Sequence, residues 1–277
     1  MRSRHEEDDS LEENPVKIGR VAIVAHLGKP AIAETREQLV AWLDDRNIGV
    51  SEDAPDLVLS LGGDGTMLRA AQVAHGCDAP LLGVNLGQLG YLAEIDAGEM
   101  FAALDKIVSG DYQIEERMVL RCEESDGSNQ CIGLNEVLVE RSSRQRLVRL
   151  NVSIGGERLA AFNADGVIVA TPTGSTAYAL SAGGPIVSPR AQCLVLVPVS
   201  AHMIFSRPFV LAPDDIVEVQ VDEDSNEAVY ACDAAAGVRL APGEKIVVRR
   251  HFRPLMMVRL SGPGFLERLR SKLGLPE

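Results

Sequence analysis

The stretch Leu57–Thr66 reads LVLSLGGDGT and holds residue types suited to handling phosphate. Gly62, Gly63 and Gly65 leave the backbone bare around Asp64, so N–H groups can approach an anion closely. Asp64 itself would repel phosphate, which fits a group that coordinates a metal or takes a proton. The plain alternative is a tight turn in which Asp64 caps a helix. Neither the G-x-G-x-x-G spacing nor a G-x-x-x-x-G-K-[ST] loop is present, which argues against a dinucleotide fingerprint and a P-loop enzyme. A second dense stretch comprises Asp165–Gly166, Thr171–Tyr178 (TPTGSTAY) and Ser181–Pro185 (SAGGP). It reads as a rigid turn into a small-residue helix, or as a hydroxyl-lined ligand cradle in which Tyr178 stacks on a base. Asn135–Glu136 lies between apolar Leu134 and Val137. Such a pair needs a partner unless it ends a strand facing outward.

The surrounding elements follow from periodicity. Gly19–His26 and Leu57–Leu61 read as buried strands, and Pro80–Asn85 as a third that ends in the turn LGQLGY. Ala31–Arg46 is predicted helical on Leu39, Val40 and Leu43, with Trp42 at its edge. A helix from Thr66 carries Met67, Ala70, Ala71 and Ala74 on one stripe. Another is capped by Asp96 and buries Met100, Phe101, Leu104, Ile107 and Val108. Alternating strands and helices predict an α/β unit with a parallel sheet.

Beyond Tyr112, short strand-like segments such as Gly133–Glu140, Gly166–Ala170 and Ala228–Cys232 are separated by turns. This half reads as β-rich. A final helix at Pro263–Leu273, with Phe265, Leu266, Leu269 and Leu273 on one side, is expected to dock back on the first unit. The expected fold class is therefore α/β, organised as an acidic tail (1–15), an α/β domain (16–112), a β-rich domain (113–261) and a returning helix (262–277).

With 277 residues, 46% of them hydrophobic, the chain can bury a substantial core. No run approaches the ~20 apolar residues of a membrane helix, and the acidic N-terminus lacks a secretory pattern. A cytoplasmic location is the expectation. A net charge of −13 argues against general nucleic-acid binding. Cys77, Cys122, Cys131, Cys193 and Cys232 are odd in number and form no C-x-x-C pair. They are expected to be reduced structural thiols.

Taken together, the segments resemble the NAD kinase family. GGDGT at 62–66, VNLGQLGYL at 84–92, LNE at 134–136, DG at 165–166 and TPTGSTAYALSAGGP at 171–185 carry the likeness, with HMIFSRP at 202–208 and CD at 232–233 extending it. GGDGT alone is shared with diacylglycerol-type lipid kinases and resembles the loop of phosphofructokinases; TPTGSTAY is far more specific. The resemblance implies transfer of a phosphoryl group from ATP, or from inorganic polyphosphate in some members, to the 2′-hydroxyl of the adenosine ribose of NAD. A lipid or other small-molecule kinase of the same superfamily is the alternative, and a non-catalytic nucleotide sensor is the third reading.

By the same resemblance Asp64 is the catalytic base, within a loop formed by Gly62, Gly63, Gly65 and Thr66. Asn135 and Glu136 hold ribose hydroxyls, and Asp165 contacts the nicotinamide end, often across a subunit interface. Thr176, Ala177, Tyr178 and Ser181 wall the adenine and ribose. Arg69 is the candidate phosphate contact, the alternative being a solvated helix face, and Arg146 and Asn163 complete the binding set; Asn163 stands where some members carry arginine and others glycine. Mg²⁺ or another divalent metal is expected with the ATP, without a protein metal-ligand set. The expected assembly is a homodimer or homotetramer, with neither nucleic acid nor membrane as partner. Two departures stand out. The segment before Asp56 is short, so a second strand there is expected to be missing or very short, and Ala234–Ala235 follow Asp233 where many members have glycine or serine and then glutamine.

Overall fold

The structure, a computed structural model, describes residues 18–26, 28–87, 90–143, 146–201, 207–260 and 264–274. The acidic tail, Gln88 and Leu89 of the glycine turn, residues 202–206 of HMIFSRP and the expected start of the last helix at Pro263 lie outside the described residues.

In chain order the first part comprises β1 (Arg20–Ala25), α1 (Pro30–Asp44), β2 (Gly49–Val50), β3 (Leu57–Gly62), α2 (Asp64–Cys77), β4 (Leu81–Asn85), β5 (Ile95–Asp96), α3 (Met100–Val108) and β6 (Gln113–Arg117). The strands that follow are β7 (Leu120–Glu124), β8 (Cys131–Gly133), β9 (Glu136–Arg141), β10 (Val148–Ile154), β11 (Glu157–Ala164) and β12 (Gly166–Ala170). After the one-turn helix α4 (Tyr178–Ser181) come β13 (Leu194–Val199), β14 (Phe209–Leu211), β15 (Val217–Val221), β16 (Ala228–Cys232), β17 (Val238–Leu240), β18 (Lys245–Arg250), β19 (Leu255–Arg259) and α5 (Phe265–Leu273).

One sheet runs β2-β1-β3-β4-β19-β6, with β5 paired to β4. Its pairs are parallel except β19–β6. β3 and β4 are buried along their whole length, as strands covered on both faces must be. On one face Leu39, Leu43, Leu104 and Ile107 pack against Leu59 and Val84. On the other, Met67, Ala70, Ala71 and Ala74 of α2 meet Val58 and Leu81. The expected stripe of α2 is thus its buried face.

Strand pairing assigns β6 and β19 to this first sheet, whereas the sequence reading put both stretches in the β-rich part. The chain leaves the sheet after Arg117 and returns at Leu255. The second strand, expected to be absent or very short, is two residues long.

The β-rich part consists of two six-stranded sheets, β11-β10-β15-β18-β7-β8 and β14-β13-β12-β9-β16-β17. Their inner faces share one core, in which Leu150, Val152 and Val219 of one sheet meet Val137, Val167, Leu196 and Tyr230 of the other. A further cluster of Ile168, Val195 and Val197 with Ala179 of α4 covers the outer face of β12 and β13. Those strands are therefore buried throughout.

Three local expectations change. Asp96 stands at the predicted cap position, but its carboxylate accepts the Asn85 side-chain amide at 3.0 Å and makes no cap bond. In α3, Val108 is exposed. In α5, Leu266 and Leu273 are exposed while Arg268 and Leu269 are buried, because the helix docks through Arg268 onto the carbonyl of Ala93 at 3.0 Å.

The cysteine expectation is overturned. Cys131 and Cys232 form a disulfide, leaving Cys77, Cys122 and Cys193 as free thiols. The bridged residues are 101 positions apart, so no local spacing could reveal them. Among the described residues no helix is long and apolar enough to cross a membrane.

Candidate active site

Gly63, not Asp64, is the N-cap of α2, and Asp64 is its first residue. The Asp64 carboxylate is turned away from its own helix. Its Oδ2 accepts the backbone N–H of Tyr91 at 3.1 Å and its Oδ1 that of Leu92 at 3.3 Å. This approach depends on Gly90, where a Cβ would lie 2.0 Å from Asp64 Oδ1. Capping therefore does not explain Asp64. A carboxylate has about four acceptor positions, so two amide bonds leave it able to accept a further proton. Thr66, two residues on, is buried, and exposed Arg69 lies 3.5 Å from its hydroxyl.

The Tyr91–Leu92 segment is anchored in turn by Glu94. The Glu94 carboxylate, 1% exposed, accepts from the Leu260 N–H at 3.0 Å and Arg268 Nη2 at 3.1 Å, and pairs with Arg259. Arg259 also reaches Glu115 at 2.9 Å. Burial pulls the Arg259 guanidinium below its ordinary value, against the opposing pull of Glu94. Buried ions of this kind persist when each is paired and hydrogen-bonded.

The backbone of Asn135 and Glu136, though not the Glu136 side chain, has a partner. Asp233 accepts the N–H groups of Leu134, Asn135 and Glu136 at 2.9, 2.8 and 3.2 Å. Its own N–H returns a bond to the Glu136 carbonyl at 2.9 Å. Asp233 holds a left-handed φ of 51° to do so, a conformation Asp tolerates better than most residues. The hydroxyl-rich stretch locks onto the same turn. Thr171 N–H donates to the Asn135 carbonyl at 2.8 Å and Thr171 Oγ1 to that of Leu134 at 2.6 Å. Gly174 packs so closely that a Cβ would sit 2.0 Å from the Asn135 carbonyl.

Most hydroxyls in this stretch are engaged within the chain. Ser175 donates to the Pro172 carbonyl at 2.7 Å, Thr176 to that of Thr173 at 3.2 Å, and Thr173 meets Arg117 at 3.1 Å. Their first task is to shape the loop. Tyr178 and Ser181 are exposed, and Ala177 is half-buried.

Two cavities show which candidates the fold gathers. A space of about 20 Å³, enough for one water, is lined by Tyr91, Leu92, Arg117, Thr173, Thr176 and Arg268, among others. The loop that holds Asp64 thus faces the hydroxyl-rich stretch. A larger polar cavity of about 380 Å³ is lined by Asp165, Arg141, Glu140 and Tyr178, among others. Asp165 is ion-paired there with Arg141 at 2.7 Å. Arg146 and Asn163 are exposed on the connection before β10 and on β11. No hydrogen bond or ion pair ties either to these groups among the described residues.

Glu136 is the electrostatic anomaly. Its Oε2 is buried without a hydrogen-bond partner. Burial, and then the charge of Asp233, push its carboxyl up to about 7. Between the unfolded value of 4.5 and about 7, the native state therefore holds a proton that the unfolded chain has lost. This contribution is fully present below the unfolded value and is lost as pH rises through about 7, a change on the order of 3 kcal/mol. Urea unfolding of the ligand-free protein at pH 5 and pH 8 is expected to show that fall, and Glu136→Gln is expected to flatten it. An unchanged slope in the variant would assign the pH dependence to other groups.

Sequence profiles place these elements in a family. That of the ATP-NAD kinase N-terminal domain matches residues 49–112, and that of the C-terminal domain matches 134–260. The chain belongs to the NAD kinase family. The NAD kinase of Moorella thermoacetica is 38% identical over 276 residues, covering 92% of this chain and 89% of its own. That of Corynebacterium glutamicum is 41% identical over 235 residues, covering 83% and 81%. An Archaeoglobus fulgidus NAD kinase crystallised with ATP superposes with a TM-score of 0.76 at 26% identity, over 92% of this chain and 97% of that one. A yeast NADH kinase crystallised with NADH shares the fold, with a TM-score of 0.84 at 24% identity over 96% and 89%. As an NAD kinase, the chain is a phosphotransferase.

Sequence reasoning missed Glu94, Arg117, Arg259 and Arg268 as supports of this site. Asp233 was legible only as part of the CD match. The polar residues of the TPTGST stretch were noticed as a group, without the division between those that shape the loop and those that face outward.

Proposed function

We propose that Asp64 takes the proton from the 2′-hydroxyl of the adenosine ribose of NAD as that oxygen attacks the terminal phosphorus of ATP. The observation that carries this reading is an Asp64 carboxylate held by two backbone amides with acceptor capacity to spare. The buried, unpartnered Glu136 Oε2 supplies the acceptor that a ribose hydroxyl needs, with Asn135 beside it. Thr176, Ala177, Tyr178 and Ser181 line the nucleoside, and Asp165 receives the nicotinamide end. The Gly62–Thr66 loop, with Arg69, receives the phosphates. Phosphoryl transfer depends mainly on positioning and charge neutralisation, which suits a site of preset backbone donors.

A divalent metal, Mg²⁺ in this reading, enters with the nucleotide. Among the described residues the grouped sulfurs of Cys122, Cys131 and Cys232 include two joined in a disulfide, and none suits Mg²⁺. When bound, the ion neutralises phosphate charge. Incubation with ATP, Mg²⁺ and NAD should yield NADP, and its absence at working concentrations would overturn the reading.

The working unit in this proposal is a cytoplasmic homo-oligomer, where ATP and NAD are both at hand. Support comes from Asp165, which lies in the β-rich part and in a different cavity from the Asp64 clamp. Inactive Asp64→Asn and Asp165→Ala subunits, coexpressed, should recover part of the activity in mixed assemblies. No recovery in confirmed hetero-oligomers would confine each site to one subunit.

A further inference from the structure

The cysteine cluster has no part in phosphoryl transfer, yet it abuts the turn that carries Asn135 and Glu136. Cys131 opens β8 in one sheet and Cys232 closes β16 in the other. Their bond therefore joins the two sheets at the turn. Asp233, which accepts the Leu134, Asn135 and Glu136 amides, directly follows Cys232. The turn is thus held by a covalent bond and by a carboxylate from adjacent residues. Cys122 lies opposite Cys131 in the β7–β8 ladder, and the three sulfur atoms are within 4.8 Å of one another.

We propose that Cys131–Cys232 is a reversible thiol–disulfide site whose state sets the affinity for NAD; this rests on reading Asn135 and Glu136 as ribose contacts. Cys131 is half-buried and Cys232 is 1% exposed, so an external thiolate reaches Cys131 Sγ first. The attacking sulfur bonds to Cys131, the Cys131–Cys232 bond breaks, and Cys232 leaves as a thiolate that takes up a proton. The second thiol of a dithiol reductant then attacks the mixed disulfide. It releases Cys131 as a thiol and oxidises the reductant to its own disulfide, a two-electron, two-proton exchange. A disulfide oxidant runs the sequence backwards. Cys122 stays out of the exchange: buried in the core beside Glu123 and Glu124, it remains a protonated thiol.

With the bridge open, the β8 side of the turn loses its covalent tie to β16, while the hydrogen bonds with Asp233 and the β9–β16 ladder, in which Cys232 lies opposite Val137, remain. A looser turn loses more conformational entropy on binding, so the KM for NAD is expected to rise about 3- to 10-fold on reduction. Asp64 opens α2, which packs on the first sheet away from the bridge, and kcat is expected to change less than about two-fold. Opening a cross-link between residues 101 positions apart should also lower Tm by roughly 10 °C.

The experiment compares full-length protein equilibrated with oxidised or reduced dithiothreitol. Bridge state is read by alkylation and mass, NAD kinetics by NADP formation, and stability by thermal melting. Cys131→Ser and Cys232→Ser should each hold the high-KM state under both conditions, while Cys122→Ala should keep the response. Asn135→Ala should raise KM in both states. A KM that ignores the bridge while Asn135→Ala raises it overturns the switch. A KM that ignores both overturns the ribose reading, and the proposal with it. Alkylation of Cys131 and Cys232 after oxidation also overturns it.

Discussion

Asp64→Asn is expected to fold and to bind NAD, but to turn over about 10²–10⁴-fold more slowly. Asn has the shape of Asp but cannot take a proton at neutral pH. The geometry adds a second, smaller consequence. Asp64 accepts two amides, from Tyr91 and Leu92, whereas Asn offers one oxygen and turns its NH₂ toward the other N–H. The lost acceptor should cost about 1–3 kcal/mol, a modest drop in Tm that leaves the fold intact. Measured together, turnover, NAD affinity and Tm separate the two effects. Near-normal turnover would remove Asp64 from the role of base, whatever happened to stability.

A large stability effect is expected at Glu94. Glu94→Ala removes the carboxylate shared by Arg268, Arg259 and the Leu260 amide. Arg259 keeps Glu115 at 2.9 Å, and among the described residues Arg268 keeps its bond to the Ala93 carbonyl. An uncompensated buried guanidinium typically costs about 3–5 kcal/mol, or roughly 10 °C in Tm for a chain of this size. Arg268→Met should cost less, because Glu94 then retains Arg259 and the Leu260 N–H. Turnover should fall as well, since Glu94 lies just beyond the segment that clamps Asp64. Chemical denaturation of both variants checks the order, and an Arg268→Met loss exceeding that of Glu94→Ala would reverse the argument.

Local physical chemistry made much of the catalytic loop legible. Glycines around one carboxylate, a buried strand before them and an alanine-rich stripe after them are all short-range features, and β3 and α2 carry them as expected. The TPTGST stretch was likewise recognisable from composition, since hydroxyls and glycines so closely spaced shape a loop whatever surrounds them. Even the shortness of β2 could be read from the few residues between α1 and Asp56. Each of these depends on neighbours within a turn or two of chain.

What Asp64 does with its carboxylate was decided only by the tertiary structure. A cap and a clamped acceptor have the same local sequence. They differ in whether Tyr91 and Leu92, from a loop after another strand, arrive opposite it. The same holds for the pairing of β6 with β19, which encloses the β-rich part between two strands of the first sheet. Asp233 meets Leu134 across 99 positions, Arg268 meets Glu94 across 174, and Cys131 meets Cys232 across 101. A charge or a thiol in isolation carries no address. Its partner is chosen by which strands lie side by side, and that choice is made by burial of the whole core, to which any one segment contributes little.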